Sequence, residues 1–416
     1  MVYVKPFPGI RPQNNKLAAE VSALPYDVMN RQEAKSMAEG NDHSILHITR
    51  AEIDLPAEIG DYDDAVYAKA KENLTAFCQN GTLIRDETPK YYIYREIMAS
   101  KTQTGIVAAV AVEDYETGKV KKHELTRKEK EADRIRHFDV CDCQTEPVFF
   151  TYRRDPKIDD TVSRWTTEHD PVYDFTAEDE VRHLFWVVDE EGEIRKIEEQ
   201  FAALNEVYIA DGHHRTASAA AIRSIRKAQG LADDPNAPAN FVMAVIFPDR
   251  ELNIMAYNRI VKIDSSFSCE SFLKKLEDKF TITPIDGDFI PGEKHTIGFY
   301  CQNCWYALKA APSLYDNEDV VANLDAAILQ NHVLEPFFDI KDPRTDKRID
   351  FIGGIRGNKE IVERCKKENA VGFHLYPVDI SDLMAVSDQG KMMPPKSTWF
   401  EPKLRSGLFL YSFKDN

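Results

Sequence analysis

The segment Val207-Tyr-Ile-Ala-Asp-Gly-His-His-Arg-Thr-Ala-Ser-Ala-Ala constrains this chain more than any other. Four residues of strand type are followed by a polar turn at 211–215. An alanine-rich run at 216–227 then reads as a helix. A helix N-terminus offers N–H groups with no partner inside the helix and a partial positive charge, which suits a phosphate. Gly212 lets a ligand approach the backbone closely, Arg215 is suited to grip a phosphate through two N–H bonds, and Thr216 to cap the helix or touch an oxygen. Asp211, His213 and His214 add acid–base or metal-binding capability beside it. The plainer reading is an Asp- or Thr-capped helix with surface histidines. It fits five consecutive polar or glycine positions poorly.

Three further segments carry chemistry. His123-Glu-Leu-Thr-Arg-Lys-Glu-Lys-Glu-Ala-Asp-Arg stands where a strand gives way to a helix. His123 and Glu124 sit at that junction, with Arg127, Lys128 and Arg134 on the next turns. Such a set suits a polyphosphate plus a proton acceptor, or equally a solvated charged helix. Met392-Met-Pro-Pro-Lys-Ser-Thr-Trp-Phe ends in Lys396, Ser397 and Thr398, residue types found at the end of a phosphate loop. Prolines precede the lysine and no helix follows, so this is not a Walker loop. Near the N-terminus, Phe7-Pro-Gly-Ile-Arg-Pro and Leu24-Pro-Tyr-Asp-Val are proline-fixed turns that read as corners and set Arg11, Tyr26 and Asp27 in place.

Composition narrows the class. In 416 residues, 43% are hydrophobic and 30% charged, enough for a substantial core. Asp and Glu (70) outnumber Lys and Arg (53) for a net charge of −17, so no basic footprint for nucleic acid or anionic lipid is expected. The seven cysteines read as reduced thiols of a cytoplasmic protein. Cys141-x-Cys143 has the wrong spacing for a zinc knuckle, and Cys301-Gln-Asn-Cys304 reads as a hairpin turn. The longest apolar stretches, 106–112 and 241–247, are far short of the roughly 20 residues needed to span a membrane.

Strands and helices mix without strict βαβ alternation, so the expected class is α+β. Segments 106–112 and 119–123 read as a hairpin around Tyr115-Glu-Thr-Gly, and 253–263 as the hairpin partner of 241–247. Helices are expected at 31–39, 61–79, 124–138, 194–204, 266–279, 320–333 and 359–369. The expected division is an N-terminal α/β segment (1–100), a phosphate-binding core (101–265) and a C-terminal α/β region completing the site (266–416).

Phe7-x-Gly-Ile-Arg-Pro, Pro25-Tyr-Asp-Val, His123-Glu-x-Thr, Ala210-Asp-Gly-His-His-Arg-Thr-Ala and Met393-Pro-x-Lys-Ser-Thr-x-Phe together resemble the bacterial domain of unknown function 1015, in the same order along nearly the whole chain. Asp211-Gly-His-His-Arg also resembles the phosphate-binding signature of the ParB/sulfiredoxin-type fold, which includes nucleotide-dependent free L-serine kinases. The resemblance implies a nucleotide-binding core of that fold with additional N- and C-terminal α/β elements. It implies that Gly212, His213, His214 and Arg215 hold nucleotide phosphates, with Thr216 at the helix start. Asp211 would accept the serine hydroxyl proton or contact Mg²⁺, and Glu124 would match a second catalytic carboxylate. Lys396, Ser397 and Thr398 would contact phosphate or the amino acid; His123, Arg11, Asp27 and Arg134 are candidates for substrate binding. The family often carries His-Arg where this chain has Asn258-Arg259, which removes an imidazole there.

The implied activity is transfer of the γ-phosphoryl group of ATP, with Mg²⁺, to free L-serine, giving O-phospho-L-serine. A regulatory switch that binds CTP or ATP without phosphorylating a small molecule is the alternative. Sulfiredoxin-like transfer to oxidised cysteine wants a cysteine within the motif, where His213-His214 stand instead. The partners implied are a nucleotide and a small amino acid, with no nucleic acid and no membrane, and a homodimer left open. The metal ligands are not readable from the sequence.

Overall fold

The computed structural model describes residues 1–316 and 318–414 and divides into two compact units. The first comprises Met1–Lys121, Thr126–Leu252 and the C-terminal residues from Pro402 on; the second comprises Lys122–Leu125 and Asn253–Glu401. The expected boundary near residue 100 falls in the turn between two paired strands of one sheet.

In the first unit nine strands form one mixed sheet: β1 (Val4–Lys5), β2 (Tyr91–Met98), β3 (Lys101–Ala111), β4 (Val120–Lys121), β5 (Val148–Tyr152), β6 (Tyr173–Thr176), β7 (Arg182–Val188), β8 (Val207–Asp211) and β9 (Phe241–Pro248). Their order is β4-β8-β5-β9-β3-β2-β7-β6, with β1 on β3. All eight residues of β9 are buried, since it lies between β5 and β3 with side chains packed on both faces. Three helices bear on the site or its support: α1 (Asp64–Gln79), α2 (Lys128–Cys141) and α3 (His213–Ala228).

The second unit carries a six-stranded, wholly antiparallel sheet. Its strands are β10 (Tyr257–Lys262), β11 (Phe280–Ile285), β12 (Thr296–Cys301), β13 (Cys304–Ala310), β14 (Ile349–Gly353) and β15 (Ala370–His374), in the order β11-β13-β12-β15-β10-β14. Helix α4 (Gly357–Glu368) buries Ile361 and Cys365 beside it. Gln302 and Asn303, at φ 50° and 67°, make the two-residue turn expected between Cys301 and Cys304. All seven cysteines are free thiols. Among the described residues no helix is long and apolar enough to cross a membrane.

The other two expected hairpins, 106–112 with 119–123 and 241–247 with 253–263, are corrected. Residues Val112–Glu116 form a helical turn, closed by a Thr117 N–H bond to the Glu113 carbonyl and by Gly118 at φ 81°. The buried Asp114 anchors this turn, accepting the Tyr3 N–H at 2.6 Å and pairing with Lys119 at 2.6 Å. Val120–Lys121 is thereby carried to the far edge of the sheet, where it runs parallel to Val207–Tyr208. Residues 253–263 leave β9 altogether, and β10 pairs with β14 and β15 of the other unit.

Asp325 of the second unit is buried and accepts the His295 N–H at 2.7 Å. Burial pushes its carboxyl up to about 7. The folded state therefore holds a proton that the unfolded chain releases near pH 4. This contribution to stability is complete below that pH and is lost as pH rises towards 7. Wild-type melting temperature should fall by several degrees more between pH 5 and 8 than that of Asp325→Asn; equal slopes would remove Asp325 from the pH response.

Candidate functional site

Strand β8 ends at Asp211, and the chain reverses at once into α3 through Gly212, whose φ of 94° lies in the left-handed region. A Cβ there would meet the Arg215 Nε and a Val148 methyl at 3.2 Å. Gly212→Ala should cost about 1–2 kcal/mol from backbone strain alone, read by urea denaturation. An unchanged midpoint would mean the turn tolerates a side chain. The first intrahelical bond of α3 runs from the Thr216 N–H to the Gly212 carbonyl at 3.0 Å. The N–H groups of His213, His214 and Arg215 precede it, at the positive end of the helix. The Thr216 hydroxyl also donates to the Gly212 carbonyl, so it fastens the first turn from within.

Asp211 is fixed at both oxygens. Oδ1 accepts the Gly212 N–H at 2.8 Å, and Oδ2 pairs with the Lys403 ammonium at 2.8 Å. Lys403 is buried while a third of the Asp211 side chain is exposed, so a buried cation holds a carboxylate that still reaches solvent. Lys403 closes the loop that begins at Met392. No local pattern joins it to Asp211.

Arg215 corrects an expectation. Its side chain is buried beneath the turn and donates to the Pro147 carbonyl, instead of reaching outward with two N–H bonds for a phosphate. Burial lowers its pKa, but Asp27, Glu146 and Asp211 act against that and hold the guanidinium above its ordinary value. Glu146 is also buried; it accepts the Tyr26 N–H at 3.0 Å and the Ser406 hydroxyl at 2.9 Å, and faces Arg134 at 3.4 Å. Burial raises the Glu146 carboxyl. Arg134 lies 3.8 Å from the Tyr26 ring centroid and pairs with Asp133 at 2.9 Å. Asp27 and Arg134, expected near substrate, thus join Arg215 and Asp211 in one chain of charges through Glu146, a residue the sequence reading missed.

Arg11 stands elsewhere in the unit. Its guanidinium makes two bonds to Asp86, at 2.9 and 2.8 Å, and one to the Tyr173 hydroxyl at 3.0 Å, which is a structural tether.

In the second unit two candidates distant in sequence meet. The His123 carbonyl accepts the Met393 N–H at 2.8 Å, which sets His123-Glu124 beside the loop carrying Lys396, Ser397 and Thr398. His123 is buried and Glu124 half-buried. Arg259 donates to the carbonyls of Tyr257, Pro395 and Lys396, and Ser397 to the Pro394 carbonyl at 2.7 Å. Lys396 takes a left-handed φ of 57°, with its ammonium 5.5 Å from the Tyr257 ring centroid. Burial lowers the Arg259 pKa to about 10. Arg259, left without a role by the sequence, is the brace of this loop.

The family description matching this sequence, protein of unknown function DUF1015, spans residues 4–327. No curated protein matches the chain. Among solved structures it is similar to SbnI with a C-terminal truncation from Staphylococcus aureus (TM-score 0.38, 12% identity, covering 72% of this chain and 85% of that one). It is also similar to a free serine kinase variant in complex with AMP (0.34, 12%, 73% and 92%). A third is a conserved hypothetical protein from Pyrococcus furiosus (0.35, 13%, 75% and 98%). Overlaps this loose assign no residue.

Proposed function

The chain belongs to the DUF1015 family, and on that premise we propose that it is a kinase transferring the γ-phosphoryl group of MgATP to free L-serine. The observation that carries the reading is the Asp211 carboxylate, held by Lys403 and the Gly212 N–H beside the N-terminus of α3. Phosphoryl transfer asks mainly for positioning and charge neutralisation, plus a carboxylate to orient the acceptor hydroxyl. The first-turn N–H groups of α3, with His213 and His214, take the nucleotide phosphates. Asp211 receives the hydroxyl proton or touches the Mg²⁺ that enters with ATP; its oxygen donors suit that hard cation. The serine oxygen bonds to the γ-phosphorus as the bridge to the β-phosphate breaks, leaving O-phospho-L-serine and ADP. Arg215 and Lys403 position Asp211, and Arg215 does so from beneath the turn.

Glu124 is proposed as a second carboxylate of the reaction, and Lys396, Ser397 and Thr398 as contacts to phosphate or the amino acid. These four roles rest on the sequence resemblance, and each is tested by its own substitution. The experiment for the whole reading is incubation with MgATP and a panel of hydroxyl amino acids, with products read by mass spectrometry. Phosphoserine that requires both protein and L-serine is the expected result. Bound nucleotide with no product from serine, threonine or homoserine would overturn it in favour of a nucleotide-binding switch.

A further inference from the structure

We infer that a buried row of polar side chains in the first unit positions Lys403 against Asp211, and through Lys403 governs the rate of transfer; the second half rests on the proposed kinase reading. The row follows from strand register. His183 of β7 stands opposite Glu96 of β2, and Glu96 stands opposite Gln103 of β3. All three are 2% exposed or less, and Tyr94, two residues before Glu96 on the same face, is fully enclosed. Paired polar groups in place of apolar ones gain little stability. What they add is direction.

The row holds both sides of Lys403. Before it, Gln103 donates from Nε2 to Glu96 at 2.6 Å and to the Pro402 carbonyl at 3.3 Å. After it, Arg405 donates from Nε to His183 Nε2 at 3.1 Å, while its Nη2 pairs with Asp179. Burial and the Arg405 charge push the His183 imidazole down to about 2, so it stays neutral. With Nε2 accepting, its proton lies on Nδ1 and is donated to the Tyr94 oxygen at 2.7 Å. The Tyr94 hydroxyl then donates to Glu96 at 3.1 Å. Donors and acceptors thus run one way, from Arg405 to Glu96. Ser406 closes the far end, giving its hydroxyl to Glu146 at 2.9 Å and exchanging backbone bonds with Ala23.

Between these anchors the Lys403 side chain is 8% exposed, and its ammonium meets Asp211 at 2.8 Å. Apolar contacts have no direction, whereas the bonds to Pro402, Arg405 and Ser406 define one register for the segment. A slip of one residue would bring Pro402 or Leu404 to the place of Lys403 and take the cation from Asp211. His183 and Arg405 act through Lys403, so they are positioning residues.

The test uses the full chain: wild type, His183→Leu, Arg405→Met and the conservative His183→Gln, whose amide oxygen keeps an acceptor for Arg405. Labelling with acetic anhydride, read by peptide mass spectrometry, follows Lys403, with Lys294 of the second unit as the reference. The MgATP assay gives kcat and the KM for L-serine and for MgATP. Thermal melting checks folding; should His183→Leu fail to fold, Arg405→Met decides, because its partner Asp179 is 42% exposed. The expected result in both is Lys403 labelled faster, and kcat lowered, by about tenfold or more. Both KM values should stay unchanged, and His183→Gln should recover both effects. Lys403 labelled at the wild-type rate in the folded variants would overturn the positioning. Faster labelling with a wild-type kcat, in a protein that makes phosphoserine, would overturn the link to transfer. Faster labelling in the variants of a protein that makes no phosphoserine would overturn the kinase reading and leave the positioning standing.

Discussion

Asp211→Asn is expected to lower phosphoryl transfer by about 10²–10⁴-fold while MgATP still binds, the range over which a positioned general base acts. Asparagine keeps the shape and leaves an oxygen to accept the Gly212 N–H, so the turn into α3 survives. It removes the charge that orients a hydroxyl or meets Mg²⁺. It also removes the carboxylate charge that pairs with the buried Lys403 ammonium, so the variant should lose stability as well as rate. The two losses separate in the double variant Asp211→Asn/Lys403→Met, which removes both charges of the pair and should recover melting temperature without recovering activity. Wild-type transfer by folded Asp211→Asn would take this carboxylate out of the reaction.

The centre of the site was legible because its signals are local. An apolar run, an acid, a glycine and an alanine-rich stretch specify strand, left-handed turn and helix, and β8 and α3 follow within three residues of the expected limits. The direction of Arg215 was also available. With Ser218, Ala219 and Ile222 it falls on one helical face, all four buried, so the 3.6-residue period turns it towards the core. Other features had no local signal. The Asp211–Lys403 pair joins a strand end to a loop 192 residues away. The segment at 119–123, Lys-Val-Lys-Lys-His, has one apolar residue and so carries no pattern that names its partner; the turn anchored by the buried Asp114 brings it parallel to β8. Likewise the apolar pattern of 253–263 gives a strand but not the sheet it joins, because pairing depends on partners such as Ile349–Gly353 nearly a hundred residues later.

Arg215→Ala follows from that buried direction. Truncation removes one cation from a network in which Glu146 is wholly enclosed and Asp27 and Asp211 act on the same guanidinium. It also leaves the Pro147 carbonyl without its donor, and a buried polar group left unsatisfied costs about 1–3 kcal/mol of stability. A guanidinium that only gripped a phosphate at the surface would instead cost about 1–3 kcal/mol of nucleotide affinity and almost no stability. Denaturant titration and nucleotide titration of the same sample distinguish the two, because the geometry predicts the larger loss in the first. Arg215→Lys should recover little, since an ammonium has neither the reach nor the fork to face Glu146 and the Pro147 carbonyl together. An Arg215→Ala protein with the wild-type denaturation midpoint and nucleotide binding weakened tenfold or more would mean that this arginine leaves its buried position to meet the phosphates.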